Sequence, residues 1–227
     1  MRRSAAFVFV VALTAASIQA QTPPAGQTPP AGQQPAGQQP AAQQPVLGPN
    51  TWQIDSSHTA AHFSVRHMMV STVRGTLGRV TGTVDYDGKA VESIKADVTI
   101  DVAGIDTGVQ GRDNDLRSNN FFDVATYPTI TFKSKRAESA GDGKFRLIGD
   151  LTIHGVTKEV TLDVDGPSPP IKQQNGALKV GASAATKLNR RDFGLNYNRM
   201  IEATPMVGDE ISLVIDIEIN KRPAGSQ

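Results

Sequence analysis

The chain has 227 residues and no cysteine, with 23 basic and 22 acidic residues and a formal net charge of +1. Without cysteine there is no disulfide staple, no thiolate metal site and no thiol nucleophile. Charge is nearly balanced and forms neither a basic stripe nor an acidic block, so nothing in the composition calls for nucleic acid.

In chain order, residues 1–20 (MRRSAAFVFVVALTAASIQA) start with Arg2 and Arg3, continue with an apolar run from Ala5 to Leu13, and end in small residues. This layout predicts a secretory signal peptide cut after Ala20, because the apolar run is too short to span a bilayer. Ile18 is bulkier than usual for its place before a cut, and a retained anchor is the rival reading. Residues 21–50 hold eight of the 14 prolines, repeated every five to six residues among Gln, Ala and Gly, with no charge. Such a segment cannot bury enough apolar surface to offset its ordering entropy, which predicts a disordered spacer. Residues 51–222 are long enough for one domain with a sizeable core. Residues 223–227 are expected to be a disordered tail.

Within the domain, period-two alternation dominates. Along Lys95–Val102, Ala96, Val98, Ile100 and Val102 share one face, and Lys95, Asp97, Thr99 and Asp101 share the other. Glu159–Asp165 and Ile211–Ile219 alternate in the same way. Each predicts a strand with one face to a core and one to water. Weaker alternation at 58–67, 73–87, 129–137, 144–153 and 177–188, punctuated by Gly, Asp and Asn clusters, raises the number to seven or eight. The pattern predicts an all-β antiparallel domain. Closing the sheet into a barrel would remove its two edges, and a sandwich satisfies the same alternation. Gly104–Asp123 (GIDTGVQGRDNDLRSNNFFD) is the exception and predicts a short helical insert. Thr107 and Gln110 fit a capping box. Gly111 weakens the helix, which must be held by tertiary contacts, and Phe121 and Phe122 would then turn inward and stopper one end.

The candidate sites are few. His58 and His62 are four residues apart, which on a strand separates them by about 13 Å, too far to share one metal ion. His67 lies on the inward side with Phe63 and Val65. Arg112, Asp113, Asp115 and Arg117 could pair to tie the helix down, or Arg112, Asp113 and Arg117 could join His67 in contacting a ligand's polar head, arginine offering a planar donor fork. Arg190, Arg191 and Asp192 before Phe193-Gly194 read as a corner where a charge pair and an aromatic close the fold. His154 fits a turn. There is no phosphate-binding glycine loop and no nucleophile elbow, and no catalytic or metal-binding residue is assigned. Phe63, Val65, Val98, Ile100, Ile130, Phe132, Leu151, Ile153, Val160 and Leu162 occupy inward positions, and on periodicity alone they fill a packed core.

An ordered set of motifs adds to this reading. Trp52-Gln-Ile-Asp55, His58, Phe63-Ser-Val-Arg-His67 and Ser71-Thr-Val-Arg-Gly75 open the domain. Ile105-Asp-Thr-Gly108, Arg112-Asp113, Leu116-Arg-Ser118, Phe121-Phe-Asp123, Tyr127-Pro128 and Ile130-Thr-Phe132 follow. Gly149-Asp-Leu-Thr-Ile-His-Gly-Val-Thr-Lys158 and Arg191-Asp-Phe-Gly194 complete it. From about Thr51 to Ile219 the chain resembles the YceI-like family of exported, polyisoprenoid-binding proteins. The resemblance implies a lipocalin-like, eight-stranded antiparallel β-barrel around an apolar pore. It also implies a bound isoprenoid quinone, polyprenyl phosphate or fatty-acid-like lipid, with no covalent cofactor and no established reaction. Phe63, Val65, Val98, Ile100, Phe121, Phe122, Ile130, Phe132, Leu151, Ile153 and Leu162 would line that pore. Asp115 departs from the family, many members of which carry histidine there. The expected setting is the periplasm or the exterior, with the lipid as partner and a transient membrane contact; a monomer and a dimer are both compatible. The alternatives are a lipid-modifying enzyme using the same pocket and a ligand-free barrel for adhesion or stress protection.

Overall fold

A computed structural model describes residues 48–222 except Glu202. The expected signal peptide (1–20), nearly all of the spacer (21–50) and the tail (223–227) lie outside the described residues. The strands are β1 (Thr51–Ile54), β2 (Ala60–His67), β3 (Ser71–Thr76), β4 (Val80–Asp85), β5 (Lys95–Asp101), β6 (Thr129–Gly141) and β7 (Lys144–Ile153). They continue with β8 (Val156–Asp165), β9 (Ile171–Lys172), β10 (Leu178–Asn189), β11 (Met200–Ile201), β12 (Thr204–Pro205) and β13 (Val207–Lys221). One α-helix, α1 (Gln110–Arg117), stands between β5 and β6.

β1, β4, β5, β6, β7, β8, β10 and β13 form a closed ring of eight antiparallel strands. Closure falls between β10 and β13, paired from Leu178↔Lys221 to Asn189↔Glu210. On its other side β13 meets β1 at Ile219 and Asn220, and meets β2 from Val207 to Asp216. β3 pairs with β2 as the arm of a hairpin. The barrel expected from the resemblance is therefore present, and the sandwich is excluded by the β10–β13 pairing.

The chain crosses from β1 to β2 opposite Glu218. Asp55 N–H donates to the Glu218 carbonyl at 2.8 Å, and Glu218 N–H donates to the Thr59 hydroxyl at 3.1 Å. The strand 73–87 expected from alternation is instead two strands. They break at Leu77-Gly78-Arg79, where a Cβ on Gly78 would lie 1.7 Å from the Asp101 carbonyl oxygen. β5 ends at Asp101 because Val102–Gly104 closes a 3-10 turn with Val102 fully buried. β1 was not legible as a strand, being only four residues long.

The core follows from alternation. In β5, Ala96 and Ile100 are buried while Lys95, Asp97 and Asp101 are exposed. Trp52 from β1 is 1% exposed, and its indole N–H donates to the Tyr86 carbonyl at 3.0 Å. An indole this deep needs such a partner.

Gly82 in β4 is required by geometry. Its φ is +137°, and a Cβ there would sit 2.1 Å from the Asp97 carbonyl oxygen. Gly82→Ala must strain the backbone and push β4 from β5, so urea unfolding should show a loss of at least about 2 kcal/mol.

Candidate functional site

The inward faces of the ring strands surround an internal cavity of about 200 Å³. Its lining side chains are apolar apart from Tyr86 and Arg190. All eleven residues expected at a pore line it: Phe63, Val65, Val98, Ile100, Phe121, Phe122, Ile130, Phe132, Leu151, Ile153 and Leu162. Val160, also expected to face inward, packs against the core but does not reach the cavity. The sequence reading also missed part of the wall. β13 contributes Ile211, Leu213, Ile215, Ile217 and Ile219, whose alternation was plain although their place at a cavity was not. β10 contributes Val180, Ala182, Ala184 and Leu188, where two alanines blur the contrast between faces.

The volume exceeds the roughly 150 Å³ of a dry apolar cavity that takes benzene. It falls below the roughly 300–1,000 Å³ of typical small-molecule pockets. The interior is thus hollow but narrow.

Register places the β5–β6 connection, the β7–β8 turn and the segment after β10 at one end of the ring. At this end Leu116 of α1 reaches the cavity, as do Phe121 and Phe122. Phe121 packs edge-on to Tyr197, ring centroids 5.1 Å apart. The expected stopper is therefore formed, although the predicted capping box is not. Val109 is the N-cap and offers no side-chain bond. The Thr107 N–H and hydroxyl instead both donate to Asp113 Oδ1.

The four expected head-group residues do not come together at the cavity, and none of them lines it. Arg112 donates from Nε to the Thr107 hydroxyl oxygen at 2.7 Å and from Nη2 to the Thr107 carbonyl at 3.0 Å. Arg117 donates to the Ala103 carbonyl at 2.7 Å and to that of Ile105. Asp113 is buried, and the Thr107 hydroxyl is the chief reason its carboxyl is held below the ordinary carboxylate value. Asp115 accepts from Asn120 Nδ2 at 2.7 Å. His67 closes β2, paired with Val207 and Ser71. The physical reason is plain: α1 buries little apolar surface, so Arg112, Asp113 and Arg117 are engaged in fastening it to residues 103–107.

Arg190 is the charge that does reach the cavity. It is 3% exposed, and burial works against its charge, lowering its pKa. Its Nε donates to the Gly208 carbonyl at 3.0 Å, Nη1 to the carbonyls of Leu195 and Tyr197, and Nη2 to Asp209 Oδ1 at 3.0 Å and the Val207 carbonyl at 3.5 Å. Every nitrogen is thus occupied, which leaves Arg190 as a clamp joining the segment after β10 to β13. The corner expected at 190–194 exists, with Phe193 2% exposed and Gly194 in the left-handed region. The partner of Arg190 and Arg191 is Asp209 rather than Asp192.

Outside the barrel, Asp55, His58 and Glu218 approach one another at the β1–β2 crossover. His58 Nδ1 lies 3.0 Å from Asp55 and 3.4 Å from Glu218. The Ser57 hydroxyl, then His58, hold the Asp55 carboxyl far below the ordinary range. The Lys179 ammonium contacts Glu218 and lies 3.7 Å from Asp55, so a side-chain cation already takes the place between the carboxylates.

Two outcomes are expected. Asp113 has a depressed pKa in the fold, so its contribution is complete above about pH 4 and is lost as pH falls through the folded value. Asp113→Asn should flatten that acidic limb in urea unfolding measured across pH. Arg190→Met leaves buried carbonyls unpaired and should cost about 3 kcal/mol in the same assay at neutral pH.

The family model described as YceI-like domain matches residues 52–219. A UPF0312 protein of Staphylococcus aureus strain MSSA476 is 30% identical over 167 residues, which are 73% of this chain and 95% of that protein. The crystal structure of the Campylobacter jejuni YCEI protein is 33% identical with a TM-score of 0.60, covering 70% of this chain and 90% of that one. A polyisoprenoid binding domain from Saccharophagus degradans shares the fold at 16% identity and a TM-score of 0.56, covering 76% and 98% of the respective chains. With a closed eight-stranded barrel, a hollow apolar interior and this match over its whole length, the domain makes the chain a member of the YceI-like family.

Proposed function

We propose that the barrel holds the hydrocarbon chain of an isoprenoid or a similarly long lipid, and shields it from water during carriage, storage or sensing. The observation that supports this most directly is the cavity wall: among the described residues its polar side chains are Tyr86 and a fully engaged Arg190. A polar guest inside would lose its water and find no partner, at a cost of roughly 2–7 kcal/mol per group. A hydrocarbon gains about 0.8 kcal/mol for each methylene buried. An empty apolar cavity leaves about 24 cal/mol per Å³ uncollected, so 200 Å³ corresponds to roughly 5 kcal/mol that a guest can recover. The Saccharophagus degradans domain, described as polyisoprenoid binding, supports the same class of ligand.

The head group belongs outside, at an end of the barrel, because the wall offers it nothing. Among the described residues the same wall carries no carboxylate, histidine, serine or threonine, which speaks for holding a lipid rather than converting it. The layout of residues 1–20 supports export, with the periplasm or the exterior as the aqueous setting in which such shielding matters.

Native mass spectrometry of the protein purified from its own compartment, followed by lipid extraction, should find a long-chain lipid bound non-covalently. Ala184→Phe, which places a ring in the middle of the cavity, should keep a Tm within a few degrees of the parent and lose the lipid. A parent protein that is empty and ignores added polyprenols and quinones overturns the reading.

A further inference from the structure

We propose that the β2–β3 hairpin tip and the neighbouring Met200 dock the barrel on an anionic lipid surface. The tip is the turn closed by Val70 N–H donating to the His67 carbonyl at 3.0 Å. Both residues between, Met68 and Met69, have positive φ, at 49° and 56°. Hairpin turns with two such residues ordinarily carry Asn-Gly or Gly-Gly, because the left-handed region strains residues with a Cβ. Burial does not offset that strain, since Met69 is 55% and Val70 81% exposed. Apolar side chains are thus held in water on a strained turn.

The patch is wider than the turn. Met68 N–H donates to the Met206 carbonyl and Met206 N–H to the Arg199 carbonyl, each at 2.9 Å. These bonds seat the tip against the small β11–β12 hairpin, where Met200 is 59% exposed. The other exposed large apolar residues do not gather in this way; Ile171, for example, lies toward the opposite end, and Val214 stands on the barrel wall.

Charge selects the kind of surface. Along the hairpin itself, Ala60–Thr76, the sequence has no acidic residue but has Arg66 and Arg74. Arg66 donates to the Met69 carbonyl at 2.7 Å and to the Thr72 hydroxyl at 3.0 Å, bracing the tip from beneath. Among the described residues no carboxylate forms an ion pair with Arg66. The segment Phe193–Gly208 has Arg199 and one acid, Glu202, in sequence, and on the adjoining strand β13 Asp209 is paired with Arg190 and Arg191 and Glu210 with Lys187. Apolar insertion and basic attraction are the two signals that together hold a protein on an anionic bilayer. A neutral protein partner would have no use for the bias in charge.

The place suits the cavity. Val65, two residues before His67, and Val207, next to Met206, both line it, as do Phe121 and Phe122 at the same end. Docking there brings the stoppered end to the bilayer that contains the lipid. The inference rests on the lipid-holding reading for its purpose, but its test reads the surface alone.

The relatives consist almost wholly of this domain, so residues 48–227 can be studied as a unit. Stripped of lipid, that unit should float with vesicles of phosphatidylethanolamine and phosphatidylglycerol, not with phosphatidylcholine, and high salt should release it. Met69→Ser with Val70→Ser should weaken vesicle partitioning about tenfold with the Tm unchanged, and Val70→Glu alone should act in the same direction. Lipid held in the cavity should survive both changes, which separates this surface from the pocket. Absence of flotation, equal binding to both vesicle types, or binding untouched by either variant overturns the proposal. So does a dimer in solution that these variants dissolve without any vesicle binding, which would give the face to a second copy.

Discussion

The hydrogen bonds between β10 and β13 are the constraint on which the rest depends. An open sheet could lay its apolar face against anything, whereas a sheet joined edge to edge must turn that face toward its own axis. β13 makes the joint by serving two sides along fifteen residues. β10 takes one side for nearly the full length; β1 and β2 divide the other. The division costs a crossover in the middle of a barrel wall, and polar groups hold that point. Asp55, Ser57, His58, Thr59, Lys179, Glu218 and Asn220 bond across it. His58 therefore has a mechanical task that its sequence neighbours gave no hint of.

Once the ring is closed, its interior has to be apolar and its polar groups have to be satisfied elsewhere. The arginines show how this is done. Arg190 is the one charged side chain in the lining among the described residues, and five acceptors surround it. Arg112 and Arg117 face backbone carbonyls in the 103–107 segment. A guanidinium is suited to this because it offers several donors in fixed directions, so it can gather carbonyls that strands leave unpaired. A sequence containing paired arginines and aspartates beside a pocket invites a head-group reading; here most of them hold loops.

How much was readable follows from contrast between faces. β5, β8 and β13 alternate large apolar with charged residues, so their inward sides were evident, although the place of β13 at a cavity was not. β10 hides its inward side behind Ala182 and Ala184, and β1 is too short to show a period. The break between β3 and β4 depends on the backbone of residues 101–104 approaching Gly78, a contact made by segments distant in sequence. The same holds for the site. Phe121 and Phe122 announced a stopper, being large, apolar and next to a polar helix. Arg190 was visible only as one of several charges, since its burial depends on carbonyls 5 to 18 residues away. The hollow itself could not be inferred from alternation, which describes a filled core and an empty one equally well.

The narrowness of the cavity bears on how a long chain gets in. At about 200 Å³ the space does not take an extended isoprenoid without movement of its walls. The strands are tied to neighbours on both sides, so the ring is the stiff part. The stopper is different. Among the helix residues Leu116 supplies the large apolar contact with the core, and the rest of the attachment is hydrogen bonds that Arg112 and Arg117 donate to, and Asp113 accepts from, one short segment. Segments with few buried apolar contacts open at lower free energy than the core they cover. Displacing α1 would break no strand ladder, and the apolar surface given up would be mainly that of Leu116, Phe121 and Phe122. That end also carries the exposed methionines, so on the proposed reading the end without a strand ladder across it is the one that meets the bilayer.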